Sequence, residues 1–140
     1  MSTVTFTLGL CGSGKTWLAD RIVAARKFDE QFLEDQAQHA ALIDTLRSGK
    51  DCVVVEIAYC SEDARWQIAS EITEALPNVK INWLCIENDL DRANKNCRER
   101  TNKPDPEGHV RFNHDVSPSY TYPDGAVILK IWTRPATTVA

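Results

Sequence analysis

Residues Gly9-Leu10-Cys11-Gly12-Ser13-Gly14-Lys15-Thr16 follow the pattern G-x-x-x-x-G-K-[ST] without a mismatch. Glycines, a lysine and a hydroxyl side chain at this spacing suit the binding of linked phosphates. A triphosphate crowds anionic oxygens together, so several donors must converge on them. Gly9, Gly12 and Gly14 let the main chain turn tightly and bring N–H groups close, those of Cys11 and Ser13 among them, with no Cβ in the way at the glycines. Lys15 can reach the β and γ phosphates and offset charge as it moves. Thr16 offers a hydroxyl to Mg²⁺. A helix starting at Lys15 would aim its N-terminal partial positive charge at the same group. The pattern therefore implies ATP with Mg²⁺.

Such a loop needs a strand before it and a helix after it, and the flanking sequence supplies both. Thr3–Leu8 is rich in β-branched residues and reads as a strand. Lys15–Lys27 reads as a helix with Leu18, Ile22 and Ala25 at core-facing spacing. Phe28–Glu34 is a second, less regular strand. Gln36–Ser48 reads as a helix with Ala40, Ile43 and Leu46 inward, closed by Gly49. Asp51–Ile57 is apolar on both faces, as a central parallel strand requires. Ser61 caps another helix, Glu62 and Asp63 suit its N-terminal end, and Pro77 stops it after Ile68, Ile72 and Leu76. Val79–Ile86 is a strand, Asp89–Arg100 a helix with Leu90, Ala93 and Cys97 inward, and Ala126–Trp132 the last strand. This alternation predicts an α/β fold with a mainly parallel sheet. Thr101–Gly125, interrupted by Pro104, Pro106, Pro118 and Pro123, reads as a long loop of the kind that is usually functional or disordered.

The 140 residues suit one domain, and 26% charged with 43% hydrophobic residues is the composition of a soluble globular protein. Apolar runs such as Cys52–Val55 are far too short to span a bilayer. No basic stretch precedes the apolar N-terminal residues, which argues against a secretory signal. A net charge of −4 provides no general attraction to nucleic acid or anionic lipid. The five cysteines, Cys11, Cys52, Cys60, Cys85 and Cys97, show no C-x-x-C pair. Neither a zinc site nor a disulfide framework is indicated, and reduced thiols in the cytoplasm are expected.

With its phosphate loop between a strand and a helix, the chain resembles the P-loop kinase superfamily, in the group of small kinases similar to polynucleotide kinase, shikimate kinase and gluconate kinase. The likeness extends over most of the chain, and the loop is its specific motif. It implies a three-layer α/β sandwich: a five-stranded parallel sheet in the order 2-3-1-4-5, helices on both faces, and the ligand at the carboxyl ends of the strands. It also implies one domain over residues 1–140 with a lid over about 98–125. In such proteins an acid after the third strand holds Mg²⁺ through water, which falls here on Glu56, where Asp is the usual residue. The acid that takes the acceptor's proton falls on Asp35, with Glu34 next to it. The ordinary reading of Asp35 is a cap for the helix that follows.

Arg92, Lys95 and Arg98 recur every three residues and form a ridge, with Arg100 at the helix end. The resemblance makes Arg98 and Arg100 the foremost candidates to clamp the transferred phosphoryl group; the alternative is a solvated face paired with Asp91 and Glu99. Arg111 is a further phosphate candidate. His109 and His114 alone make a poor metal site. Trp132, Thr133 and Arg134 fall near the place of an adenine, although core packing also explains Trp132. Arg65 faces either substrate or Glu62.

The leading reading is thus a phosphotransferase that moves the γ-phosphate of ATP to a hydroxyl or phosphate of an unidentified acceptor. Candidate acceptors range from sugar-like alcohols to nucleotides and a polynucleotide strand end; long nucleic acid and membranes are not expected partners. The other classes are an ATPase or nucleotide switch without an acceptor, and a structural relic. A guanine-specific N-K-x-D motif is missing from IENDLDRANKN, and the intact Gly14-Lys15-Thr16 argues against a relic.

Overall fold

The computed structural model describes residues 2–22, 24–29 and 32–133. The apolar run Cys52–Val55 forms β3, buried along its length and paired on both sides. The other strands are β1 (Thr3–Leu8), β2 (Arg26–Phe28), β4 (Lys80–Ile86) and β5 (Val127–Leu129). They make one five-stranded sheet, order β2-β3-β1-β4-β5, parallel throughout. This is the order that the resemblance implied. The helices are α1 (Lys15–Ala19), α2 (Gln36–Arg47), α3 (Glu62–Ala75), α4 (Leu90–Glu99) and α5 (Pro106–Val116).

Side-chain alternation along the strands separates two cores. Val4, Phe6 and Leu8 turn to one face with Cys52, Val54 and Cys85, and there meet Leu42 and Leu46 of α2, Ile68 and Ile72 of α3, and Ala93 of α4. Phe6 stacks on Trp83 with centroids 4.7 Å apart and meets Tyr59 edge-on at 5.1 Å. Val53 and Val55 turn the other way, onto Ala19 of α1 with Ile22 and Ala25. The sheet is thus covered from both sides.

Three elements differ from the sequence reading. α1 ends at Ala19, not Lys27; tighter turns follow, with Arg21 N–H donating to Leu18 O and Ile22 N–H to Ala19 O. The chain must turn back early because Arg26–Phe28 is itself β2, pairing with Cys52–Val54. Phe32–Glu34 is a 3-10 turn instead of a strand end. The middle of the supposed long loop is α5, whose start is fixed by Asp105 accepting from Gly108 N–H and by Pro106 in the first turn. Arg134 lies outside the described residues.

Candidate active site

The loop Gly9–Gly14 leaves the carboxyl end of β1, between β3 and β4, and enters α1. Gly12 and Gly14 have φ of +81° and +104°, in the left-handed region that favours glycine. A Cβ on Gly12 would stand 2.6 Å from Ala93 O, and one on Gly14 2.8 Å from Trp132 Cβ. Conformation and space both require glycine there. Ser13 N–H donates to Leu10 O at 3.1 Å and closes the turn. The N–H groups of Gly12, Gly14, Lys15 and Thr16 meet no acceptor among the described residues. Four donors are therefore gathered at one bend. α1 has five residues, so the loop N–H groups, and not a long helix dipole, supply most of the positive potential.

Lys15 folds back across this bend. Its Nζ donates to Leu10 O at 2.8 Å, and its stem passes over Gly9. Burial lowers its pKa; the neighbouring Cys11, Cys60 and Glu56 act in the opposite sense. One carbonyl satisfies one of three ammonium protons. An anion at the loop would meet the other two. Ser13 Oγ is enclosed and has no partner among the described residues.

A network of asparagines ties the loop to the α4–α5 pair. Asn113 of α5 is fully buried; its Oδ1 accepts from Cys11 N–H at 2.7 Å and its Nδ2 donates to Cys11 O at 3.0 Å. The same Nδ2 lies 3.1 Å from Asn94 Oδ1. Asn96 of α4 donates to Gly12 O at 2.9 Å and to Trp132 O at 2.7 Å, while Trp132 N–H donates to Ser13 O. Cys97 Sγ completes the set by donating to Cys11 O. Burial pushes the Cys60 thiol up to about 12 and the Cys52 thiol up to about 11, and raises Cys85 and Cys97, so these sulfurs stay protonated.

The other sequence candidates are distributed around this centre. The Thr7–Val55 register carries Glu56 to the level of the loop entry. Glu56 Oε1 accepts from Ala58 N–H and Oε2 from Leu33 N–H, at 3.2 and 3.3 Å. Thr16 is exposed in the first turn of α1, and Glu56 is half-buried. Among the described residues no group of three or more His, Cys, Asp or Glu gathers for a metal, so Mg²⁺ there would draw its remaining ligands from phosphate and water. Asp35 caps α2, accepting from Ala37 N–H at 3.0 Å through Oδ1, with Oδ2 3.5 Å from Gln38; Glu34 is exposed. Arg98 forms a two-pronged pair with Glu107 of α5 at 2.9 and 3.2 Å, out in solvent. Arg100 turns inward instead. Its Nη2 is 2.9 Å from His109 Nδ1, and its Nε is enclosed without a partner among the described residues. Arg65 forms no ion pair with Glu62 among the described residues: its buried guanidinium donates to Tyr59 O, Cys60 O and Thr121 Oγ1, stapling the end of β3 to the segment before β5.

No family model matches the sequence, and no curated protein matches it. Solved structures match by shape. A gluconokinase from Sinorhizobium meliloti 1021 superposes with a TM-score of 0.61 at 14% identity, over 95% of this chain and 83% of that one. A sugar kinase from Janibacter sp. HTCC2649 gives 0.64 at 11% identity, over 94% and 85%. The structure of APE1195 gives 0.60 at 14%, over 93% and 84%.

The fold is the one that these kinase structures share.

Within this P-loop fold, the sequence pattern located the loop but not its supports. Asn94, Asn96 and Asn113 carry no motif, and polar residues inside a helix are ordinarily read as solvent-facing. The one available signal is that Asn94 and Cys97 share the spacing of an inward stripe. His109 was legible only as a loop histidine, because its contact with Arg100 depends on a helix that the sequence reading left out.

Proposed function

We propose that the chain is an ATP-dependent phosphotransferase acting on a hydroxyl-bearing acceptor. The observation that carries this reading is the intact G-x-x-x-x-G-K-T loop at the carboxyl end of a central parallel strand, the N–H groups of Gly12, Gly14, Lys15 and Thr16 without acceptors among the described residues and Lys15 turned across it. In this reading the N–H groups of Gly12, Gly14, Lys15 and Thr16 and the Lys15 ammonium hold the β and γ phosphates. Thr16, and Glu56 through water, would hold Mg²⁺, which supplies charge neutralisation at the phosphates when bound. The acceptor oxygen forms a bond to the γ-phosphorus, and the bond from that phosphorus to the bridging oxygen breaks. ADP leaves with that electron pair, and the acceptor's proton passes to Asp35, whose Oδ2 is the freer oxygen. Arg100, with an unpartnered enclosed N–H, is better placed than Arg98 to meet developing charge as the lid arginine. Trp132, beside Gly14, would flank the base.

The fold neighbours include a gluconokinase and a sugar kinase, which supports a small alcohol acceptor over a polynucleotide end. The capping role of Asp35 favours the second reading, an ATPase or nucleotide switch without an acceptor. Mass spectrometry after incubation with ATP–Mg²⁺ and a panel of alcohols, nucleosides and oligonucleotides decides between them. A phosphorylated product supports the transferase; ADP alone, across the whole panel, supports the second reading.

A further inference from the structure

A cavity of about 300 Å³ opens between α3 and the segment that precedes β5. Glu62 and Trp66 of α3, Trp83 of β4, and Tyr122 and Asp124 line it, with Arg65 beside them. In the sheet Trp83 is level with Phe6, three residues before the phosphate loop begins at Gly9. The cavity therefore lies over the middle of β4 and not at the carboxyl ends of the strands. Two of its rings are braced from behind. Trp83 stacks on buried Phe6 with centroids 4.7 Å apart. Tyr122 meets Tyr120 edge-on at 5.3 Å, and its Oη accepts from Asn88 N–H at 2.8 Å. Thr121 N–H donates to Cys60 O and Arg65 donates to Thr121 Oγ1, so this wall is tied to the start of α3. Trp66 has no such support. It is 74% exposed and stands one turn after Glu62, on the same stripe of α3. A lone exposed tryptophan is ordinary, but one that completes a cavity with two braced rings makes a binding surface.

The charges around the cavity define what fits. Glu62 and Asp124 form no ion pair or hydrogen bond among the described residues. Arg65, the one cation of the lining, is buried, and its Nη atoms are engaged by Tyr59 O, Cys60 O and Thr121 Oγ1. Two unpaired carboxylates thus stand against one engaged guanidinium. The faces of aromatic rings are negative as well and attract cations. Rings and carboxylates act in the same sense. An anion is opposed by both, and a neutral ring or sugar gains from the rings alone.

We infer that this cavity between α3 and the segment before β5 binds an organic cation, an alkylammonium or guanidinium group. The group is carried either by a free small molecule or by a lysine or arginine side chain of another polypeptide. Matched pairs test the charge: choline against 3,3-dimethylbutan-1-ol, and the acetylated amides of lysine and arginine against those of norleucine and citrulline. Glucose and adenosine stand for a sugar and a neutral ring. Each is titrated into the isotope-labelled chain, and the indole N–H signals of Trp66 and Trp83 are followed. The expected result is saturable shifts with at least one cation, about tenfold tighter than with its neutral counterpart and weakened by salt. Preference for choline identifies a free cation as the source; preference for the lysine or arginine amide, increased in a short basic peptide, identifies a partner's side chain. Trp66→Leu should weaken the binding about tenfold and leave the thermal midpoint unchanged, because the indole stands mostly in water. The double variant Glu62→Gln with Asp124→Asn should weaken the cation and leave its neutral counterpart as it was. Equal binding within every pair, preference for glucose or adenosine, silence with all the cations, or unchanged affinity in Trp66→Leu would overturn the inference. No nucleotide enters these titrations, so they succeed or fail separately from the phosphotransferase reading.

Discussion

At the residue scale, the loop glycines and the two arginines make opposite kinds of statement. Gly14 combines φ of +104° with Trp132 Cβ 2.8 Å from where a Cβ would stand. Gly14→Ala should cost about 1–3 kcal/mol, measured as a shift in urea midpoint, and should impair nucleotide binding as well. Arg98 and Arg100 were equal candidates in the sequence because both lie at the end of the same helix. Geometry separates them: the Arg98–Glu107 pair lies in solvent, with side chains 54% and 59% exposed, whereas Arg100 turns inward to His109. Exposed pairs contribute little. Arg98→Ala should therefore leave both stability and phosphoryl transfer nearly unchanged. Arg100→Ala should slow transfer about tenfold or more, the scale of losing one charged contact in a transition state. Equal losses from both variants in a coupled ADP-release assay would refute this separation.

At the element scale, the strands were legible because burial on both faces writes long apolar runs, as in Cys52–Val55. The helix α5 was not, although Asp105-Pro106-Glu107 is a helix-start signal; the prolines of the stretch and its sparse apolar residues outweighed it. α1 misled in the other direction, since its apolar spacing persists through Ile22 and Ala25 after the helix has ended. α5 matters because Asn113 couples it to the loop through both main-chain groups of Cys11. Removing this side chain takes away the partner of Cys11 N–H and of Asn94 Oδ1. Asn113→Ala should cost about 2–4 kcal/mol, from two or more lost hydrogen bonds and their desolvated partners. Native-state hydrogen exchange should then show α5 opening more readily than α2 or α3. Uniform loosening of all helices would contradict a specific anchoring role.

At the scale of the whole molecule, the carboxyl ends of the strands collect positive charge around one neutral imidazole. Burial lowers the His109 pKa below 6.5, reinforced by Arg100, Lys103 and Lys15, with Asp105 opposing. The unfolded chain therefore binds this proton more readily than the folded one. The stability that the neutral ring provides is present above pH 6.5 and is lost as pH falls from there through the lower folded value. Between about pH 7.5 and about pH 5.5 the wild type should lose more stability than His109→Gln, which cannot take up the proton. Urea midpoints at the two pH values check this, and an equal loss in both proteins would contradict it.

The central claim is that the loop between β1 and α1 binds the phosphates of a nucleoside triphosphate. Calorimetric titration of ATP–Mg²⁺ into the folded wild type and Lys15→Ala tests it most directly. Saturable binding to the wild type is expected, weakened about ten- to a hundredfold in Lys15→Ala, as for loss of a charged hydrogen bond. Lys15→Ala should keep its thermal midpoint, because it removes a buried ammonium and leaves no charge unpaired. Absence of heat from the wild type, or equal affinity in both folded proteins, would contradict it.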